Sequence, residues 1–309
     1  MKRLFLFALT TLIILCCNAQ STSTLALQIV IEDAVEPFPA SGKAQLERKL
    51  SNILTKNGVQ SSNWQNQFFI TAIVTPQTKD VIPGPPAQIA ENMDVTFYIG
   101  DAFNQIIFSS TTLSVKGVGT SEAKCYLNAL SNINTNSTKF TSFIDEGKRK
   151  IVNYYNEQAP NILLQANNLA KMHAFEEALW MLIKIPSECS YFQQASELSV
   201  TIYQQMLQHQ CQQNLAAAKS AWVANYNKNG AYEAGQYLAL ILPESGCYEE
   251  ANILYAEIKD KIKEEWNFEM TKYSDSVDLQ KETINAIREI GVAYGENQQK
   301  QDTHIGFIH

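Results

Sequence analysis

Apolar residues fall on every second position along residues 24–32 (TLALQIVIE), with Leu25, Leu27, Ile29 and Ile31 on one face. Period two predicts a strand. After a Pro-broken segment at 35–39, the spacing changes. Leu46, Leu50, Ile53 and Leu54 form one helical stripe, so residues 42–57 are expected to be a helix, with Ser41 as N-cap and Gly58 as C-terminal stop. A second strand is expected at 67–74 (QFFITAIV). Residues 75–86, with the run PGPP at 83–86, read as a long loop, because proline is poorly tolerated inside a sheet. Val95, Phe97 and Ile99 then alternate with Asp94, Thr96 and Tyr98, and a turn at 100–104 leads into a strand over 105–118, giving an antiparallel hairpin. Ser121 is placed to cap a helix over 122–133 whose inner face would carry Ala123, Leu127 and Leu130.

From 143 onward the pattern is helical. Helices are expected at 143–158 (ended by Pro160), 161–172, 174–185, 191–208, 211–228, 231–242, 248–267 and 273–294, with a frayed polar tail from 296. One stretch occurs twice here. Ala174, Phe175, Glu176, Pro186 and Tyr191 recur 57 positions later as Ala231, Tyr232, Glu233, Pro243 and Tyr248. Repetition at a fixed period marks a helical array in which each unit buries its apolar face on the next. A unit of this length suggests three helices. The expected class is α+β: a small N-terminal α/β sandwich at 24–133, with its helices on one face, then an all-α helical-repeat domain at 142–295. The polar stretch 132–141 is the expected boundary.

The leader modifies this picture. Lys2 and Arg3 precede an apolar run at 4–15, too short to span a bilayer, and Cys17-Asn18-Ala19 offers small residues for cleavage before Gln20. Residues 1–19 therefore read as a signal peptide, and the expected location is periplasmic, outer-membrane-associated or secreted. Cys17 is a rival candidate as a lipid anchor. Without Lys2 and Arg3 the chain keeps 22 basic against 31 acidic residues, a net charge of −9. No basic block is present, which argues against nucleic acid as a partner, and no later apolar run suffices for a transmembrane span.

Export permits disulfides. A helix at 191–208 is about 27 Å long and would hold Cys189 away from Cys211, whereas the next two helices run out and back and return Cys247 to the end where Cys211 sits. The expected bridge is Cys211–Cys247, with Cys125 and Cys189 free. Histidines at 173, 209, 304 and 309 meet no acid or nucleophile in any local pattern. Gly117-Val-Gly119-Thr-Ser121 lacks the lysine of a phosphate loop and reads as a tight strand-to-helix turn. No catalytic, metal-binding or cofactor-binding residue is expected, and no cofactor. Trp180, Trp222, Trp266 and Tyr237 are the candidate interaction surface, with core packing as the ordinary alternative for the tryptophans.

Residues 94–133 carry a resemblance. Asp101 after a strand, Ser109 and Ser110 in the next strand, Gly117-x-Gly119-x-Ser121, then Ala123 and Ala129 in a helix resemble the periplasmic domain of the curli secretion channel family and of the lipoproteins that activate penicillin-binding proteins. The segment FEEALWMLIKIP at 175–186 resembles a tetratricopeptide helix entry. The first resemblance implies a binding or assembly module, and the second bears on shape alone. The function expected from the whole is that of a non-enzymatic exported envelope protein, a protein-binding adaptor or assembly scaffold that engages envelope proteins or itself. An envelope hydrolase acting on peptidoglycan or glycan, and a structural subunit of a phage or mobile element, are the alternatives.

Overall fold

The computed structural model describes residues 25–31, 40–60, 67–262 and 279–299. The expected signal peptide, Cys17 and Trp266 lie outside them. Four strands form one sheet in the order β1-β2-β3-β4. They are β1 (Gln28–Ile29), β2 (Phe68–Ile82), β3 (Gln88–Asp101) and β4 (Ile106–Gly119). β1 is parallel to β2, and the other pairs are antiparallel. Helices α1 (Ala40–Lys56) and α2 (Glu122–Ser131) pack with the sheet. The α+β class expected from the residue pattern is the observed one.

Alternation sorts the two faces of the sheet. Ala72, Val74, Met93, Val95, Phe97 and Ile99 are buried in the core with the α1 stripe Leu46, Leu50, Ile53 and Leu54. The opposite face is polar, and its side chains bond across strands: Thr96 with Thr112 at 2.9 Å, Ser114 Oγ donating to Asp94 at 2.6 Å, and Asn92 Nδ2 donating to Thr78 at 2.7 Å. An antiparallel sheet can leave one face in water.

Several local expectations change. α1 begins at Ala40, so Ser41 lies within the helix. Gly58 does end it, with φ of 65°. The expected loop at 75–86 is mostly strand. β2 runs on to Ile82, paired with β3 from Ile82↔Gln88 inward, and only the turn at 83–87 is loop. Its outer half is exposed on both faces, so no apolar alternation announces it. Pro76 is tolerated because β1 pairs only with Phe69 and Ile70, which leaves Pro76 on an edge, and because the register shifts between Pro76 and Thr78. In α2, Ser121 is the N-cap and accepts from the Lys124 N–H. Its buried face is Cys125, Tyr126, Ala129 and Leu130, whereas Ala123 is exposed.

The helical part comprises α3 (Thr138–Lys171), α4 (Phe175–Ile183), α5 (Phe192–Ala224), α6 (Lys228–Leu238), α7 (Tyr248–Ile262) and α8 (Leu279–Gln299). Two of these absorb expected breaks. α3 passes through Pro160. The ring is solvent-exposed, while Tyr155, Ala159 and Leu163 on the inner side are buried. Proline forfeits one helical hydrogen bond, and the packed inner face on both sides holds the helix together. The pairs expected at 191–208 and 211–228 are a single helix, with Met206 and Cys211 both on its buried face.

The core does not divide at 132–141. Phe140 is buried and its ring meets Phe97 edge-on, with centroids 5.0 Å apart. One apolar cluster joins the sheet, α1 to α4, the first half of α5 as far as Met206, and Ile287 of α8. A second joins Cys211, Leu215, Ala218 and Trp222 of α5 to α6 and α7. The division falls inside α5.

Candidate interaction surface on the repeated helices

The repeated segments are α4 with the turn into α5, and α6 with the turn into α7. Each turn is tied back to the preceding long helix, by different chemistry. In the first unit, Asn156 Oδ1 on α3 accepts from the Ser190 N–H at 2.9 Å, the Ser190 hydroxyl at 2.8 Å and the Cys189 thiol at 2.9 Å. In the second, Cys247, which stands 57 positions after Ser190, is disulfide-bonded to Cys211 of α5, with α-carbons 6.0 Å apart. Cys211 sits in mid-α5 rather than at a helix start. The second half of α5 runs out, α6 runs back, and the chain returns to the level of Cys211. Cys125 and Cys189 are free and buried.

The outer faces of the two units differ more. Trp180 and Ile183 of α4 correspond to Tyr237 and Leu240 of α6. α8 covers the first pair. A Cβ on Gly295 would overlap the Trp180 ring, and one on Gly291 would stand 2.9 Å from Ile183 Cδ1. Only glycine allows the two helices so close. Trp180 also meets Phe103, with centroids 4.5 Å apart, and carries Lys184 Nζ 4.8 Å above its ring. Burial pushes the Lys184 ammonium below its usual range, and the Asp101 charge opposes that shift. Tyr237 and Leu240, by contrast, are 40% and 63% exposed. The inner side of α6 consists of Gly230, Ala231, Ala234, Gly235 and Leu238, which lets it lie close on its neighbours and turns its aromatic residues outward.

Of the four expected surface residues, Tyr237 alone is plainly exposed among those described. Trp222 is 1% exposed and donates from Nε1 to Glu257 at 3.1 Å. It is the core of the second unit rather than a surface residue, because a large ring gains most where both its faces are packed. Trp180 is half-buried beneath α8. Leu240 was missed, although the same 57-residue offset pairs it with Ile183.

Asp101 is fully buried at the end of β3. Its Oδ1 accepts from the backbone N–H of Phe103 at 2.9 Å and of Asn104 at 3.1 Å. Its Oδ2 accepts from Gln67 Nε2 and Asn104 Nδ2, each at 2.9 Å, and from the Tyr155 hydroxyl. Burial, followed by the Asp101 charge, pushes the Tyr155 phenol far above its usual value. This network pins the β3–β4 turn to α3. Of the other residues in the resemblance, Ser109 is buried and donates to the Phe143 carbonyl at 3.2 Å, and Ser110 is exposed. Gly117 and Gly119 lie under the first turns of α2, where any Cβ would overlap the Cys125 backbone. His173, at φ 61° in the turn after α3, stacks on His209 with centroids 4.3 Å apart. Among the described residues no three potential metal ligands gather, and no helix is long and apolar enough to cross a membrane. An open groove of about 410 Å³ between α3 and α5 is lined by Leu163, Leu164, Asn167, Glu197, Leu198 and Thr201, among others.

No known protein family and no curated protein matches the chain. Two solved structures are similar to part of it. One is a minor lipoprotein from Acinetobacter baumannii, with 20% identity over 41% of this chain and 84% of that one, at a TM-score of 0.23. The other is a candidate lipoprotein from Caulobacter crescentus, with 14% identity over 40% of this chain and 83% of that one, at a TM-score of 0.22. Scores this low establish no common fold.

Proposed function

We propose that this chain is a non-enzymatic exported envelope protein that binds other proteins as an adaptor or assembly scaffold. The observation that carries the reading is the number of large apolar and aromatic side chains that the second helical unit leaves exposed, Val223, Tyr226, Tyr232, Tyr237, Leu240 and Ile253. Exposed side chains of this kind on one small unit suit a protein interface. The Cys211–Cys247 bridge supports export, since such bonds persist in oxidising compartments. Asp101 suits a structural role, because protein donors fill both its oxygens.

The test is capture from solubilised envelopes of the native host with the mature protein as bait, together with sizing of the bait alone. A stoichiometric envelope partner is expected. A monomer that captures nothing overturns the reading. The intact mass of the mature chain separates release before Gln20 from acylation at Cys17.

A further inference from the structure

We infer that the outer stripe of α6, formed by Glu233, Tyr237 and Leu240, docks an amphipathic helix of a partner protein, antiparallel to α6, with two small residues four positions apart over Tyr237 and Leu240. The inference rests on the adaptor reading and names the partner's chemistry. The molecule itself holds the precedent. Glu176, Trp180 and Ile183 form the same stripe on α4, one repeat earlier, and there the occupant is a helix. α8 seats Gly291 against Ile183 and Gly295 against the Trp180 ring. The glycine number rises as the α4 number falls, so the two helices run antiparallel. Side-chain size sets how near two helix axes can come, and glycine at both contacts allows an aromatic ring to lie flat beneath the second helix.

On α6 the stripe keeps its chemistry: an aromatic ring at 237, an aliphatic side chain at 240 and a carboxylate one turn earlier at 233. All three are exposed. In a solenoid the outermost apolar face needs a cap. α8 caps the first unit, and among the described residues nothing caps the equivalent face of the second. Charge completes the description of the occupant. In an antiparallel docking, Glu233 faces the C-terminal end of the bound helix. That end carries the negative pole of the helix dipole and favours a lysine or arginine, which would pair with Glu233.

The test uses the full mature protein and a labelled synthetic peptide of residues 279–299 bearing Gln299→Lys. Saturable binding is expected, weakened at least tenfold by Leu240→Glu in the protein and equally by Gly291→Leu with Gly295→Leu in the peptide. Leu240 is largely exposed, so its replacement leaves the fold intact, which circular dichroism verifies. No saturable binding overturns the inference. So does binding that Leu240→Glu leaves unchanged, because the peptide is then exchanging with α8 on α4. Sedimentation of the protein alone that shows a dimer abolished by Leu240→Glu also overturns it, in favour of a second copy as occupant. An envelope partner captured equally by wild type and Leu240→Glu removes this inference and leaves the adaptor reading standing.

Discussion

The Tyr155 hydroxyl donates to the Asp101 carboxylate across 54 positions of sequence. It joins the long helix α3 to the turn that closes the β3–β4 hairpin. Asp101 is wholly buried, so each donor it loses leaves acceptor capacity that water cannot fill. Tyr155→Phe is expected to destabilise the fold by about 1–3 kcal/mol. Urea unfolding measures this, and an unchanged midpoint would contradict the network's role.

The same burial sets an alkaline limit. Burial raises both Tyr155 and Tyr126 above the ordinary tyrosine value, which is about 10. Between that value and the folded one, only the unfolded chain releases these protons, so stability is full below about pH 10 and falls as pH rises beyond it. Denaturation midpoints taken from pH 8 to 11 should drop above 10, and less steeply in Tyr155→Phe. A flat profile would refute the burial of these phenols.

Cys211→Ser with Cys247→Ser removes a bridge that closes a loop of 36 residues. The expected loss is about 2–4 kcal/mol. It should concentrate in α6 and α7, which share the second core cluster with the bridge. Hydrogen exchange should rise there, while α3 and α4 keep their protection. A uniform rise would mean that the two clusters do not open separately.

Gly117→Ala places a methyl group where the Cys125 carbonyl and Ala129 stand. α2 must then lift from β4, at a cost of about 1–3 kcal/mol, visible as a lowered melting temperature. Gly84→Ala, in the exposed turn, meets nothing closer than 3.5 Å and should be neutral.

Gly295→Leu should lift α8 from the Trp180 ring. Tryptophan fluorescence should shift to the red, and exchange should rise over 279–299 with little change in α6 and α7. If α8 stays protected, the glycine seat is not what holds it.

What the sequence made legible follows a physical line. Ser121, the core stripe of α1 and the alternation Val95-Phe97-Ile99 were readable because each is a local rule acting within one element. The outer arm of β2 was not, because residues exposed on both faces carry no period. Pro160 pointed to a break by local rules, yet Tyr155, Ala159 and Leu163 around it are held by distant partners, and packing outweighs one lost hydrogen bond. The recurrence of Pro186 as Pro243 made the correspondence of α4 with α6 legible. It did not show that one copy lies under α8, since glycines more than a hundred positions away make that contact. Asn156 and Gln67, neutral amides with no local pattern, were invisible for the same reason.

The passage of α5 through both cores has a mechanical consequence. Its 33 residues make a rod about 50 Å long, clamped over its first half by Ala195, Ile202 and Met206 and over its second by Cys211, Leu215 and Trp222. Among the described residues no linker separates the two halves, so a swing of one unit against the other would have to bend α5 itself. The rod works as a gauge bar. The separation of α4, packed on its first half, from α6, packed on its second, is thereby set by the length of a single helix.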